Sequence, residues 1–243
     1  MPGSLRTEPV SAHLRLMPSS IAVNPGPVLL GNVPSLAEAS ARTVLLVRHS
    51  IRESLRAGSV DPGLTPEGTD LAMRCGRLLA GLGEDAMFGA SPRLRTRRTA
   101  LCLMEGGGFP TRDIRECPEL GDLTIFTSPV DFEAMLRTRN TETVMREYFS
   151  TGHAEGLKDM RLFAGELLEF LTGTSFPSGR AVLVSHDILA MSILSALGVR
   201  RFSVDDWCGY LHGVLLTQDR GGKWTASYAV PDYDKGRKYR LFV

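Results

Sequence analysis

Two apolar runs of strand length stand out along the chain, and each of them ends in a histidine. Residues 43–47 lead into Arg48-His49-Ser50, and residues 181–184 lead into Ser185-His186-Asp187. A short apolar run bounded by polar residues predicts a buried strand, and the helical pattern after each run favours parallel strands. If the two strands are neighbours, both imidazoles face one crevice at the carboxyl edge of the sheet.

Strand and helix patterns alternate along most of the chain. Thr65-Pro66-Glu67 is typical of a helix start with Thr65 as N-cap, and Ser91-Pro92 repeats this cap-then-proline signal. The alternation predicts an α/β fold with a mostly parallel central sheet between helices, and the last two strands predict an antiparallel hairpin at the sheet edge. The predicted elements are helices ending near residues 82 and 104, helices over 133–149, 157–171 and 188–197, and strands over 86–90, 111–117, 214–218 and 224–229.

The composition of the chain changes at about residue 42. Residues 1–42 are rich in Pro, Ser, Ala and Gly and lack an apolar stretch long enough for a signal-peptide core. We therefore expect an irregular N-terminal extension over residues 1–42, followed by one domain over residues 43–243. No segment approaches the roughly 20 apolar residues of a membrane span. The simplest expectation is a cytoplasmic protein without a membrane partner.

The overall charge gives no reason to expect a polyanionic partner. Lys and Arg number 28 against 27 Asp and Glu, for a formal net charge of +1, so nucleic acid is not an expected partner and any anion site must be local. Arg93, Arg97 and Arg98 surround Arg95 on a predicted helix, and we expect at least two of them on a solvated face. The four cysteines show no CxxC spacing, and a disulfide is not expected. The oligomeric state stays open.

Three arginines and two histidines form the candidate site. They are Arg48, Arg52 and Arg95, with His49 and His186. The planar guanidinium suits phosphate oxygens, and three converging arginines supply more positive charge than a neutral substrate needs. One neutral imidazole can attack phosphorus and carry the phosphoryl group as phosphohistidine, while the second stabilises charge in the transition state. These residue types therefore point to phosphoryl transfer.

The order and spacing of four motifs resemble those of the histidine phosphatase superfamily, which includes cofactor-dependent phosphoglycerate mutases, broad-specificity phosphatases and histidine acid phosphatases. Arg52 matches the extra arginine of the acid-phosphatase form of the first motif, and the likeness covers roughly residues 43–230. The motifs are Arg-His-Gly at Arg48-His49-Ser50, Leu-Thr-x-x-Gly at residues 64–68, Ser-Pro-x-x-Arg at residues 91–95 followed by Thr99-Ala100, and a second histidine motif at residues 184–187.

This resemblance implies a three-layer α/β/α sandwich of the phosphoglycerate mutase type and a metal-independent phosphatase without a cofactor. It also implies that His49 is the catalytic nucleophile and that His186 binds and stabilises the transferred group. Arg48, Arg52 and Arg95 would bind the phosphoryl group. The expected partners are a small-molecule phosphate ester as substrate and inorganic phosphate as product.

Two aspartates compete for the role of proton donor. In the mutase-like branch the donor is a carboxylate after the third strand, and Asp122 falls at that position. In acid phosphatases the donor is the aspartate directly after the second histidine, which here is Asp187. We favour Asp122, because the helix starts and the short chain resemble the mutase-like branch. Asp187 is the rival, although it can also serve only as a cap of the helix after His186.

The chain departs from the mutases at two points. Ser50 replaces the glycine of the first motif, so that turn must accept a Cβ, and Ile51-Arg52 stand where the mutases have Glu-Thr. The second departure favours hydrolysis. The alternatives are a phosphomutase and a catalytically weak regulatory protein that binds phosphorylated ligands. A dinuclear metal hydrolase is disfavoured, since neither strand end has the carboxylate-rich spacing of such sites.

Overall fold

One eight-stranded sheet organises the chain in the computed structural model, which describes residues 21–54, 61–173, 176, 178–234 and 239–241. None of the described helices is long and apolar enough to cross a membrane. The strands are β1 (Ile21–Val23), β2 (Val28–Leu29), β3 (Arg42–Arg48), β4 (Met87–Ala90), β5 (Arg115–Glu116), β6 (Arg180–Ser185), β7 (Gly213–Gln218) and β8 (Trp224–Val230). The helices are α1 (Val33–Ala39), α2 (Pro66–Leu79), α3 (Leu94–Gly106), α4 (Pro129–Thr138), α5 (Thr141–Thr151), α6 (Met160–Gly173) and α7 (Asp187–Ala196).

The sheet brings the two histidine-bearing strand ends together. The strand order is β1-β8-β7-β3-β6-β4-β5, with β2 also paired to β8. β3 ends at Arg48, and its parallel neighbour β6 ends at Ser185, so both strands finish at the same edge. Parallel pairing also joins β6 to β4 and β4 to β5, whereas β7 runs antiparallel to β3 and β8. The predicted α/β fold with a mostly parallel sheet is confirmed.

The continuous apolar character of β3 follows from burial on both faces. Val44 and Leu46 belong to one buried cluster with residues of α5, α6 and α7. Leu45 and Val47 belong to a second cluster with residues of α1, α2 and α3. Side chains alternate between the two faces of a strand, so a strand covered by helices on both faces must be apolar throughout. The sheet is therefore the middle of three layers.

The stretch before β3 differs from the irregular extension expected over residues 1–42. Within residues 21–42, β1 and β2 pair with β8, and α1 follows them. Val28, Leu30 and Val33 are buried in the second cluster. Burial of these apolar side chains orders the stretch despite its prolines and glycines. Residues 1–20 lie outside the described residues.

The hairpin of β7 and β8 is antiparallel as predicted, but it does not lie at the sheet edge. β7 pairs with β3 on one side, and β1 and β2 pair with the other side of β8. An unpaired β8 would expose a row of backbone donors and acceptors, which the two short strands bind. The N-terminal stretch therefore supplies the edge of the sheet.

Two elements differ from their sequence patterns, one by division into two helices and one by its length. The helix expected over residues 133–149 is divided into α4 and α5, because Asn140 is extended and caps α5 by accepting the N–H of Glu142 at 2.7 Å. The strand expected over residues 111–117 is limited to Arg115–Glu116, which pair with Gly89 and Ala90 of β4.

The start of α2 packs directly against the chain that follows β3. Thr65 is the N-cap, as predicted, and its Oγ1 accepts the N–H of Gly68 at 2.9 Å. A Cβ on Gly68 would lie 2.1 Å from the carbonyl oxygen of Ile51. The glycine of this motif therefore permits the close approach by which α2 braces the residues beside His49.

Candidate active site

His49 lies just beyond β3 and is buried, with 4% of its surface exposed. Its backbone N–H donates to the carbonyl oxygen of Ser185 over 2.9 Å. The imidazole Nδ1 lies 2.7 Å from the carbonyl oxygen of Ser50. A carbonyl can only accept, so Nδ1 carries the proton and Nε2 keeps its lone pair. The imidazole is thus held in the tautomer required for attack through Nε2.

The surroundings of His49 keep its imidazole neutral. Burial lowers the pKa of His49 well below its ordinary value, because a buried imidazolium loses its hydration. The charge of Arg48 lowers this pKa further, as do His186 and Arg95, while the hydrogen bond to Ser50 opposes the shift. The neutral form is the one with a lone pair available for nucleophilic attack.

His186 N-caps α7, and its ring centroid lies 5.5 Å from that of His49. Its Nδ1 is 3.2 Å from Nη2 of Arg95, and its Nε2 is 2.9 Å from Oγ of Ser91. A guanidinium can only donate, so in the neutral ring Nδ1 accepts from Arg95 and Nε2–H donates to Ser91. Burial lowers the pKa of His186 to about 4, and the resting imidazole is therefore neutral at pH 7.

Ser91 holds this histidine rather than capping a helix, which corrects the sequence prediction. α3 begins at Leu94, with Arg93 at the N-cap position and no side-chain cap from it. The backbone N–H of Leu94 is bound instead by Oδ2 of Asp61 at 2.7 Å. A distant carboxylate therefore caps α3, which leaves the hydroxyl of Ser91 for His186.

Arg48 is fixed on three sides and is 6% exposed. Its Nη1 donates to the carbonyl oxygen of Cys208 over 2.6 Å, and its Nη2 lies 3.0 Å from Oδ2 of Asp187. The guanidinium also lies over the ring of Tyr210, with Cζ 4.2 Å from the ring centroid. Stacking on an aromatic face orients the guanidinium plane in addition to its hydrogen bonds.

The loop that carries Tyr210 is strained and firmly tied to Arg48. Leu211 has a φ of 63°, a left-handed conformation that is uncommon for a residue with a Cβ. Its N–H donates to the carbonyl of Arg48, whose own N–H donates to the carbonyl of His212. His212 is buried and bonded to Asp234, Nε2 to Oδ2, at 2.8 Å. These contacts hold the strained loop in place.

Arg95 and Arg93 share one carboxylate. Nη2 of Arg95 lies 2.7 Å from Oδ2 of Asp122, and Nε of Arg93 lies 2.9 Å from Oδ1. Arg95 also approaches Asp61, with 3.4 Å between Nη1 and Oδ1. Burial tends to raise the pKa of Asp122, but His186 and the two arginines outweigh it and lower that pKa below its ordinary value. Asp122 is therefore ionised in the resting site.

Asp187 is held by a different set of donors. Oδ2 accepts from Nε1 of Trp207 at 2.8 Å and pairs with Arg48, while Oδ1 accepts the N–H of Ile188 at 2.9 Å. Burial opposes ionisation, but Arg48 and the hydrogen bond from Trp207 prevail and lower the pKa of Asp187 to about 2. This carboxylate orients Arg48 from the first turn of α7.

The two buried arginines each retain one unused donor. Among the described residues, Nε of Arg48 and Nε of Arg95 are buried without a hydrogen-bond partner. A buried donor without a partner carries a desolvation cost, which an anion bound by these two groups would reduce. The part of the chain that the structure describes contains no group of three or more His, Cys, Asp or Glu side chains that could hold a metal ion.

Arg52 and Ser50 fall in different places relative to this cluster. The described contacts of Arg52 are a hydrogen bond from Nη1 to the carbonyl of Glu53 at 3.1 Å and a backbone bridge with Leu64, so they do not join it to the other arginines. Ser50 is fully buried, and its Oγ donates to the carbonyl of Gly68 at 2.7 Å. The serine therefore fits this turn and adds a bond to α2.

Three contributors to the site had no distinctive signal in the sequence. Arg93 occupies a variable position of its motif, and its pairing with Asp122 spans 29 residues. Asp61 stands outside every motif, and Tyr210 is one of several aromatic residues in its region. Each of them reaches the site through a loop, and loop conformation does not follow from periodicity.

Comparisons with known proteins identify a family and a shared fold. The family described as histidine phosphatase superfamily (branch 1) matches residues 44–208. A mycobacterial glucosyl-3-phosphoglycerate phosphatase has a TM-score of 0.52 at 19% identity, covering 79% of this chain and 99% of that chain. The structure of this phosphatase in complex with VO3 has a TM-score of 0.53 at 18% identity, covering 79% of this chain and 100% of that chain. A phosphoglycerate mutase from Bacillus anthracis has a TM-score of 0.48 at 17% identity, covering 79% of this chain and 94% of that chain.

No curated protein matches the chain. At these identities the phosphatase structures show a shared fold, whereas the family match covers more than half of the sequence and includes the ends of β3 and β6. The chain belongs to the histidine phosphatase superfamily.

Proposed function

We propose that this chain is a metal-independent phosphatase that hydrolyses small phosphomonoesters through a phosphohistidine on His49. The observation that carries the proposal is the 2.7 Å contact between Nδ1 of His49 and the carbonyl of Ser50. It places the proton on Nδ1 and leaves Nε2 free to attack phosphorus. Membership of the superfamily supports the same chemistry.

Arg48 and Arg95 bind the phosphoryl group in this proposal. Each offers a buried Nε–H without a partner among the described residues, and phosphate oxygens are strong acceptors for guanidinium donors. Binding would give both Nε–H donors an acceptor. Arg52 stays a predicted third ligand, because its described contacts are with Glu53 and Leu64.

The first chemical step transfers the phosphoryl group to the enzyme. Nε2 of His49 forms a bond to phosphorus while the bond between phosphorus and the ester oxygen breaks. The departing oxygen takes a proton from the carboxyl group of Asp122 and leaves as the alcohol. The proton on Nδ1 stays in its bond to Ser50, which stabilises the positive charge on the ring.

The second step returns the enzyme to its resting state. A water oxygen attacks phosphorus and gives its proton to the carboxylate of Asp122. The bond between Nε2 of His49 and phosphorus then breaks, and inorganic phosphate leaves. The same carboxylate acts first as acid and then as base. Asp122 takes its proton from solvent when the substrate binds and returns it to solvent when phosphate leaves, so the ionised resting state is restored and the cycle is balanced in protons.

Asp122 becomes an acid only when substrate is bound. In the resting site the burial of Asp122 raises its pKa, but His186, Arg93 and Arg95 outweigh this effect. A bound phosphate dianion competes for Arg95 and adds negative charge beside the carboxylate, and both effects raise the pKa of Asp122. The substrate therefore promotes protonation of its own acid catalyst.

His186 changes its hydrogen bonding in the same event. At rest its Nδ1 accepts from Arg95, and burial holds its pKa at about 4. When Arg95 turns to the phosphate, Nδ1 can take a proton from solvent and donate it in a hydrogen bond to a phosphoryl oxygen, because the dianion favours the imidazolium. This proton returns to solvent when phosphate leaves. The charged ring then stabilises the transition state.

The residues after the nucleophile favour phosphate hydrolysis over the reaction of a phosphomutase. Ile51-Arg52 stand where the mutases of the family have Glu-Thr. A phosphatase releases alcohol and inorganic phosphate in equal amounts, whereas a mutase returns the phosphoryl group to a second acceptor and releases little phosphate. The amounts of the two products therefore distinguish these activities.

The test is a screen of the purified protein over sugar phosphates, nucleotides, phosphoglycerates and phosphopeptides. We expect equal release of alcohol and phosphate from at least one class, and no turnover by a His49→Ala variant. His153→Ala is the matched control, because His153 has a side chain that is 71% exposed. Undiminished turnover by His49→Ala would overturn the mechanism, and binding of vanadate without turnover by the wild type would favour a regulatory binding protein.

A further inference from the structure

Arg93 contacts the proposed proton donor through the carboxylate oxygen that Arg95 does not bind. Nε of Arg93 lies 2.9 Å from Oδ1 of Asp122, while Arg95 binds Oδ2. The side chain of Arg93 is 27% exposed, against 11% for Arg95. Nε is the one side-chain nitrogen of Arg93 that has a hydrogen-bond partner among the described residues. Its two Nη groups are therefore available to bind another group. Arg93 is therefore the more solvent-accessible of the two arginines that bind Asp122.

The backbone of Arg93 is fixed at the start of α3. Its carbonyl oxygen accepts from Oγ1 of Thr96 at 2.7 Å and from the N–H of Arg97 at 3.1 Å. The side chain therefore extends toward Asp122 from a rigid anchor. Both members of this ion pair are about a quarter exposed, a position at which ion pairs contribute little to stability.

This contact conflicts with the role of Asp122 as an acid. A bound phosphoryl group can draw Arg95 away from the carboxylate, but Arg93 lies on the opposite oxygen and would continue to favour the ionised form. The pKa of Asp122 would then stay low, and the carboxylate would be a poor proton donor. The conflict disappears if the substrate also offers Arg93 an anion.

We propose that Arg93 binds a negatively charged group on the leaving alcohol, so that the preferred substrates are phosphomonoesters whose alcohol carries a carboxylate or a second phosphate. The inference rests on the proposed function. Asp122 must touch the ester oxygen to protonate it, and Arg93 touches Asp122, so a substituent close to that oxygen lies within reach of Arg93. Binding of this substituent releases Oδ1 of Asp122 for the proton.

The test compares esters with and without a negative charge on the leaving alcohol. Phosphoglycolate carries a carboxylate next to the ester, its amide is neutral and nearly identical in shape, and ethylene glycol bisphosphate carries a second phosphate. We expect kcat/KM for the wild type to be at least about tenfold higher for one or both anionic esters than for the amide. The values for phosphoglycolate and for ethylene glycol bisphosphate tell whether Arg93 accepts a carboxylate, a phosphate or both.

The variants show whether Arg93 is responsible. Arg93→Met should bring the ratio of the anionic ester to the amide close to one, and Arg93→Lys should keep part of the preference. Arg97→Met is the matched control, since Arg97 lies on the same helix with a side chain that is 55% exposed, and it should keep the wild-type ratio. Hydrolysis of the amide by Arg93→Met shows that this variant is folded.

Two results would overturn the proposal. One is a wild-type ratio near one for both anionic esters, and the other is an unchanged ratio in Arg93→Met. If the wild type hydrolyses anionic and neutral esters equally and forms a phosphoenzyme with both, only the assignment of Arg93 fails. If it hydrolyses none of these esters and forms no phosphoenzyme, the proposed function fails as well.

Discussion

Asp122 and Asp187 are the two carboxylates beside the histidines, and both are paired with arginine. Their other partners differ. Asp187 also accepts from the indole of Trp207 and from the backbone of Ile188, which are parts of the folded core and cannot leave. The described hydrogen bonds of Asp122 come from Arg93 and Arg95, which are candidate ligands of an incoming anion.

This difference separates a fixed charge from one that a substrate can change. Asp187 keeps two donors even when Arg48 turns to a phosphate, and both of them continue to favour the ionised carboxylate. Asp122 loses Arg95 to the same anion, and in our proposal it loses Arg93 to an anionic group on the leaving alcohol, so that it can then take a proton. We therefore propose Asp122 as the acid and Asp187 as the residue that positions Arg48.

The largest expected effect is on the chemical step. Asp122→Asn should lower kcat/KM for an alkyl phosphate by about 10²- to 10⁴-fold, because the alcohol must leave with a proton. The loss should be far smaller with 4-nitrophenyl phosphate, whose leaving group departs as a stable anion. Asp187→Asn should lower kcat/KM for both esters to a similar extent. A strong dependence on the leaving group in Asp187→Asn alone would reverse the two assignments.

The next effect is on the free energy of unfolding, which we expect to fall more in the Asp187 variant than in the Asp122 variant. Asp187→Ala should lower the free energy of unfolding by about 3 kcal/mol, because it leaves the buried guanidinium of Arg48 without its counter-charge. Asp122→Ala should lower it by at most about 1 kcal/mol, because its ion pairs are partly exposed. Urea unfolding of the two variants measures both values, and equal losses would contradict the distinction between them.

A third effect is a loss of stability in acid that depends on His186, which is influenced electrostatically by both carboxylates. Its pKa falls from 6.5 in the unfolded chain to about 4 in the folded one. The unfolded chain thus binds more protons between these pH values, so stability falls as the pH falls through this window, by about 3 kcal/mol. His186→Gln should flatten this part of the profile of unfolding free energy against pH, and an unchanged slope would contradict the assignment.

The smallest effect concerns the donor that is specific to Asp187. Trp207→Phe removes the indole N–H from Oδ2 of Asp187 and should cost about 1.5 kcal/mol in the free energy of unfolding. The ratio of kcat/KM between alkyl and nitrophenyl esters should not change. A change in that ratio would show that Asp187 takes part in the proton transfer.

The sequence predicted the parts of the site that lie on regular elements. His49 and His186 follow apolar strands, and their proximity follows from parallel pairing of β3 with β6. The pairing of Arg93 with Asp122 and the capping of α3 by Asp61 could not be predicted, because both depend on loops that approach from distant parts of the chain.

The corrected elements have a similar cause. Ser91 looked like a helix cap, since a hydroxyl before a proline is the usual signal, but the tertiary contact with His186 takes its hydroxyl. β1 and β2 are too short to recognise by pattern and exist because β8 has an open edge for them to pair with. Local propensity therefore gave the main elements, and the exceptions follow from contacts between distant segments.

The most direct test of the central claim is to trap the enzyme during turnover with a ³²P-labelled phosphomonoester, by rapid quenching in alkali. The account predicts a phosphoenzyme that is stable to alkali and labile to acid, with the label on the peptide that contains His49. The His49→Ala variant should carry no label. Turnover by the wild type without a labelled intermediate, or a label on any residue other than His49, would contradict the account.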